Sequence, residues 1–134
     1  MSEITMARKA EVELRIPADG AYASVVRTTT AGLAARLDFT LDDIEDLRIA
    51  IGEASAMMLP EADPGSDLTC RFFLEPHSMT IEISVQCSDP PEVDPDSFAW
   101  QVLSSLAGDI AVSTEDDRFT VRVSVASSVS EADT

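Results

Sequence analysis

Few side chains in this sequence are equipped for chemistry, and their spacing narrows the field further. Cys70, Cys87 and His77 are the soft and borderline metal ligands. A structural zinc site takes about four such ligands, so a set of three predicts no zinc centre. The cysteines form no C-x-x-C pair, and two are too few for a disulfide scaffold. Each falls on the apolar side of an alternating segment, which predicts small buried hydrophobes. His77 falls in a short loop and is expected to be exposed and idle. Arg27 stands in a helical segment whose outer face is expected to be Ala23, Arg27, Ala31 and Ala34, with Ser24 and Ala35 beside it. Alanines are simply good helix formers, yet a face this smooth, with one cation as anchor, is also an easy docking surface.

The elements that must carry these residues follow from periodicity. Val12, Leu14 and Ile16 alternate with Glu11, Glu13 and Arg15, which predicts a half-buried strand. After the Pro17–Gly20 turn, Tyr22, Val25, Val26, Thr29, Leu33 and Leu37 recur at helical spacing, predicting a helix over 21–37 with that stripe inward. Thr40 and Asp43 have the spacing of a capping box. They open a second helix, with Leu41, Ile44, Leu47, Ile51, Ala54 and Met58 inward and Pro60 as its stop. Two alternating strands follow, Leu68–Leu74 and Ile81–Cys87, around a Pro76–Met79 loop. Setting Leu74 opposite Ile81 places Cys70 opposite Val85 and Cys87 opposite Leu68. That diagonal separates the Cα atoms by about 7–8 Å, beyond the usual disulfide range of about 4.4–6.8 Å, so both thiols are expected to be free. Ser88–Asp96 carries three prolines and suits neither a helix interior nor a central strand. A third helix over 96–107 is expected to turn Phe98, Val102, Leu103 and Leu106 inward. Trp100 lies off that stripe: it is either an edge residue on a second apolar contact or, with Phe98, a filler of space that a ligand would otherwise take. Ile110–Ser113 and Phe119–Val125 complete the order β-α-α-β-β-α-β-β. This predicts an α+β two-layer sandwich, with three helices on one face of a mostly antiparallel sheet of about five strands. Residues 1–10 read as an extension, 11–126 as one domain and 127–134 as a flexible tail.

Composition excludes several functions. The chain has 134 residues, and 9 basic against 25 acidic side chains give a net charge of −16. Such a domain is repelled by phosphate backbones, so direct nucleic-acid binding is not expected; a basic protein partner is easier to accommodate. An apolar content of 45% is too high for an acidic disordered chain. No apolar run approaches the ~18 residues of a membrane span. The first ten residues lack the features of a secretory leader, which makes the cytoplasm the expected compartment.

The element order and the stretch Ile44-Glu45-Asp46-Leu47-Arg48-Ile49-Ala50-Ile51-Gly52-Glu53-Ala54 resemble the anti-sigma factor/serine-protein kinase family (RsbW-like) of the GHKL ATPase superfamily. The resemblance runs over about 11–125, and returns at Ser97–Asp109 as the helix after the family's second glycine motif. It implies a protein that sequesters an RNA polymerase sigma factor, answers to an anti-anti-sigma (STAS-type) protein, and pairs as a homodimer. It implies that Arg27 meets both partners. It also implies an E-x-x-x-N helix whose Glu is a general base and whose Asn binds Mg²⁺. Glu53 matches the first, but Met57 stands in place of the Asn. A thioether is too soft to replace an oxygen ligand of Mg²⁺. Asp89 matches the Asp of the family's D-x-G-x-G motif, which reads adenine, but Pro90 and Pro91 follow it. Proline lacks both the N–H and the backbone freedom. The closing G-x-G reads Ser97-Phe98-Ala99, and only eight positions separate Asp89 from Ser97 where kinases of the family carry a longer lid. The expectation is an anti-sigma factor with a vestigial nucleotide site and no cofactor. An active kinase using Mg-ATP and a scaffold or dimerisation module are the alternatives.

Overall fold

The computed structural model describes residues 8–128. Five strands, β1 (Val12–Pro17), β2 (Asp67–Glu75), β3 (Ser78–Gln86), β4 (Asp109–Glu115) and β5 (Arg118–Ala126), form one sheet in the order β1-β2-β3-β5-β4. All four pairings are antiparallel. Three helices, α1 (Ala23–Arg36), α2 (Leu41–Met58) and α3 (Phe98–Leu106), with short 3₁₀ turns at Gly20–Tyr22 and Leu59–Glu61, complete the expected order.

Strand alternation builds the core. Cys70 and Phe72 from β2, Ile81 and Ile83 from β3, and Val121 and Val123 from β5 are fully buried under the helices. The opposite face of the sheet is polar. The helices meet this core through Val26 and Ala34 of α1, Leu47, Ile51, Ala54 and Met58 of α2, and Leu103 of α3. Local chemistry fixes their ends. The Thr40 hydroxyl accepts from the Asp43 N–H at 3.1 Å and the Asp43 carboxylate accepts from the Thr40 N–H at 3.2 Å, the reciprocal capping box that the sequence predicts. At the end of α1, Asp38 takes the left-handed conformation (φ 62°). Its N–H and that of Phe39 donate back to Ala35 and Ala34, and buried Phe39 closes this Schellman motif.

The structure corrects several expectations. On α1 the buried line is Val26, Thr30 and Ala34, while Tyr22 and Val25 are exposed. The helix is therefore rotated from the expected stripe, because small residues let it approach its neighbours closely. On α2, Leu41 is 85% exposed: it is the first helical residue and precedes the packed region. Phe98 is 76% exposed for the same reason on α3, whose packing is set by Leu103. The β2–β3 register is two residues tighter than expected, with Leu74 opposite Met79 and Cys70 opposite Ile83. A two-residue Pro76-His77 turn, with His77 at φ 62°, replaces the longer loop. His77 is half-buried, not exposed. A slip of two keeps every side chain on its face, and both cysteines are free and buried. Burial pushes the Cys70 thiol up to about 12. Residues 127 and 128 are tied to the domain: the Ser127 N–H donates to the His77 carbonyl at 2.7 Å, and Ser128 bonds Asp43. Residues 129–134 of that tail, and 1–7 of the extension, lie outside the described residues. Arg8 is held against β2, donating to the Leu74 carbonyl and pairing with Glu75.

Candidate functional site

Glu53 and Met57 lie four residues apart on α2, so they share one side of the helix, and both are half-buried. Met57 packs against the core. Asp89 is exposed in the irregular segment between β3 and α3, where Val93 folds back against the core. At the start of α3, the Ser97 hydroxyl accepts from the Trp100 N–H at 3.2 Å, so the helix caps itself. Trp100 is half-buried against the core while Phe98 points away, so the two do not act together as a filler.

Arg27 is half-buried, not freely exposed on an outer face. A Cβ built on Gly52 would lie 3.4 Å from Arg27 Cδ, so the arginine stem runs across the bare backbone of α2. The structure thus brings the α1 cation beside the Gly52-Glu53 step. Arg27 makes no ion pair among the described residues. Of the alanines grouped with it, Ala23 and Ala31 are half-buried, and Ala34 is fully buried and cannot touch a partner. The surface line of α1 is Ser24, Thr28, Gly32 and Ala35, still small-residued, flanked by Tyr22 and Val25. The sequence signal that could have found this line is the spacing of Val26, Thr30 and Ala34. Thr30 hides its hydroxyl by donating to the Val26 carbonyl at 2.8 Å, which makes a polar residue tolerable in the core.

Two carboxylates have structural tasks: Asp63, which carries no motif in the sequence, and Asp43, which does more than close the capping box with Thr40. Asp63 accepts from the Ser88 N–H at 3.0 Å and from its hydroxyl at 2.7 Å, and its own N–H donates to the Gln86 carbonyl. This ties the loop after α2 to the residue before Asp89. The Ser88 N–H, then its hydroxyl, hold the Asp63 carboxyl below the usual aspartate range. Asp43 likewise accepts from the Ser128 N–H and hydroxyl, both at 2.9 Å. Partial burial pushes its carboxyl up, but these bonds and those from Thr40 outweigh burial and hold it low.

No protein-family model matches the chain. Over 76 residues it is 38% identical to the serine-protein kinase RsbW of Halalkalibacterium halodurans, a match covering 56% of this chain and 47% of that protein. Over 101 residues it is 32% identical to the anti-sigma-F factor RsbW of Mycobacterium tuberculosis, covering 74% of this chain and 59% of that protein. The chain thus spans about half the length of the curated relatives it matches. A crystal structure of the RsbU and RsbW domains of a Mycobacterium tuberculosis protein superposes with a TM-score of 0.63 at 12% identity, over 87% of this chain and 32% of that one. The fold is α+β and GHKL-like. No helix among the described residues is long and apolar enough to cross a membrane.

Proposed function

This chain is RsbW-like, and on that premise we propose that it is an anti-sigma factor that holds an RNA polymerase sigma factor stoichiometrically in a partner-switching module, without efficient use of ATP. The likeness to the anti-sigma-F factor over 74% of the chain carries the reading. The acidic surface suits a basic partner. The docking face proposed is the small-residued side of α1 with Arg27 at its edge, held by Ala23 and Ala31 and without Ala34. An anti-anti-sigma protein of STAS type is the proposed antagonist, a homodimer the proposed assembly and the cytoplasm the proposed compartment.

The residues present do not fit Mg-ATP. Met57, packed against the core, offers no hard oxygen one turn from Glu53. Ser97 occupies one of the N–H groups of α3 that a phosphate would need. The Pro90-Pro91 step cannot donate to a ligand. Glu53 then has no phosphoryl group to act on, and Asp89 no adenine to read. Glu53 and the likeness to a relative named serine-protein kinase favour the second reading, an active kinase. Calorimetric titration with Mg-ATP separates the two. Absent or weak binding in the wild type, unchanged in Met57→Asn, is expected; micromolar affinity in the wild type overturns the ATP-free reading. Arg27→Gln tests the face, because it keeps the stem on Gly52 and removes the charge. It should weaken sigma-factor binding by about 2 kcal/mol, the scale of a hot-spot arginine, while exposed Arg48→Gln on α2 leaves affinity unchanged. Equal affinity of both variants places the interface elsewhere.

A further inference from the structure

The polar face of the sheet carries two neighbouring cavities of about 600 and 490 Å³, within the size range of small-molecule sites (about 300–1,000 Å³). They differ in how their arginines are paired. In the smaller, Arg8 pairs with Glu11 and Glu75, Arg71 with Glu13, and Arg122 with Glu82. Every guanidinium there is neutralised within the chain. In the larger, Arg71 is again taken by Glu13, but Arg15 and Arg118 have no ion pair or side-chain hydrogen bond among the described residues. Two unpaired arginines on one cavity stand out in a chain of net charge −16 with nine cations.

The sheet register shows what lies between them. Arg15 is opposite Thr69, Thr69 opposite Ser84, and Ser84 opposite Thr120, a row of three hydroxyls on β2, β3 and β5 with Arg15 at its β1 end. Arg118 stands on β5 two residues before Thr120. Three strand spacings separate the β1 and β5 backbones by about 14 Å; Arg15 stands at the β1 end of the row, and Arg118 lines the same cavity from the neighbouring row, in register with Gln86 and Glu115. Ser84 and Thr120 bond each other at 2.8 Å, which fixes their orientation and leaves each oxygen further capacity. Glu82 is held by Arg122 and Glu13 by Arg71. Asp67 is the one acid of the cavity without a partner among the described residues. Guanidinium forks with interposed hydroxyl donors match the oxygens of a phosphate group.

We propose that this cavity is a binding site for a small phosphate-bearing anion, gripped by Arg15 and Arg118 across the Thr69–Ser84–Thr120 hydroxyl row. It lies on the sheet face opposite the helices, so it is separate from the α1 docking face and does not depend on the anti-sigma reading. A dianionic ligand matches the two unpaired guanidinium groups in charge and offers each its own oxygens.

The test is NMR titration of the full chain with pyrophosphate, and separately with inorganic phosphate, at constant ionic strength to hold screening fixed. Saturable shifts of the Thr69, Ser84 and Thr120 amides, with pyrophosphate binding more tightly, are expected. Arg15→Ser and Arg118→Ser should each weaken pyrophosphate binding at least about tenfold, the loss of one charge-assisted contact. Arg36→Ser and Arg48→Ser, which remove exposed cations from α1 and α2, should change nothing. All four variants should keep the wild-type amide spectrum away from their own sites. Shifts that do not saturate at millimolar pyrophosphate, or an equal loss in the helix variants, overturn the proposal. Sigma-factor affinity measured on the same samples reports on the α1 face alone, so failure of one reading is distinguishable from failure of the other.

Discussion

Replacing Asp43 by alanine removes one carboxylate oxygen that accepts three hydrogen bonds: from the Thr40 N–H at 3.2 Å, the Ser128 N–H at 2.9 Å and the Ser128 hydroxyl at 2.9 Å. Losing the capping box costs about 1 kcal/mol. Bonds to a charged acceptor are worth about 1.5–3 kcal/mol each when sheltered, but Ser128 is exposed and water can replace Asp43 there, so about 1 kcal/mol is assigned to that pair together. The sum is about 2 kcal/mol, which with a urea m-value of about 2 kcal/mol/M lowers the unfolding midpoint by about 1 M. Asp42 shares the first turn of α2 and its dipole without these bonds, so Asp42→Ala should cost only about 0.3–1 kcal/mol. Ser128→Ala should reproduce part of the Asp43→Ala loss, and the double variant should fall short of additivity because the two share a bond. The pH dependence has a definite sign. The Asp43 carboxyl is held below its ordinary value of 3.8, so its contribution is present above pH 3.8 and is lost as the pH falls through the lowered folded value. The gap between wild type and Asp43→Ala should therefore narrow on acidification below that point. Equal midpoints for Asp43→Ala and Asp42→Ala, or a gap that widens in acid, would refute the reasoning.

Three further outcomes are expected. Cys70 and Cys87 should react with a thiol reagent only after denaturation, two thiols per chain; Cys70, raised to about 12 by burial, should be unreactive at neutral pH in the native state. Gly52→Ala should be tolerated and should stabilise α2 by about 0.5–1 kcal/mol in urea unfolding, because its Cβ meets Arg27 Cδ at an ordinary contact distance. Asp38→Gly should raise the melting temperature through a gain of about 0.5–1 kcal/mol, since φ 62° costs glycine nothing; a loss of stability would show that the Asp38 side chain has a role beyond the turn.

The strands and the Thr40–Asp43 box were legible because their signals are local and strong: alternation over six or more residues, and two side chains at fixed spacing. The rotation of α1 was not. Its buried line, Val26–Thr30–Ala34, holds a polar residue and an alanine, while the larger Tyr22 and Val25 stand outside, so ranking side chains by size points the wrong way. Close packing between layers selects small residues, and that demand comes from the neighbouring element. The β2–β3 register failed for a local reason: a histidine at positive φ gives no sequence signal for a two-residue turn. Glu53, Met57 and Ser97 were legible as positions. What the sequence could not show is that Arg27 rests on Gly52, since that contact joins residues 25 apart across two helices.

The most direct test of a nucleotide-independent anti-sigma role is affinity capture of the tagged full chain from its native extract, once with Mg-ATP and once after nucleotide depletion, with the eluates identified and quantified by mass spectrometry. A sigma factor recovered at near-stoichiometric amounts in both eluates, and diminished on Arg27→Gln, is the expected result; no sigma factor in either eluate, or one that appears only with Mg-ATP, contradicts it.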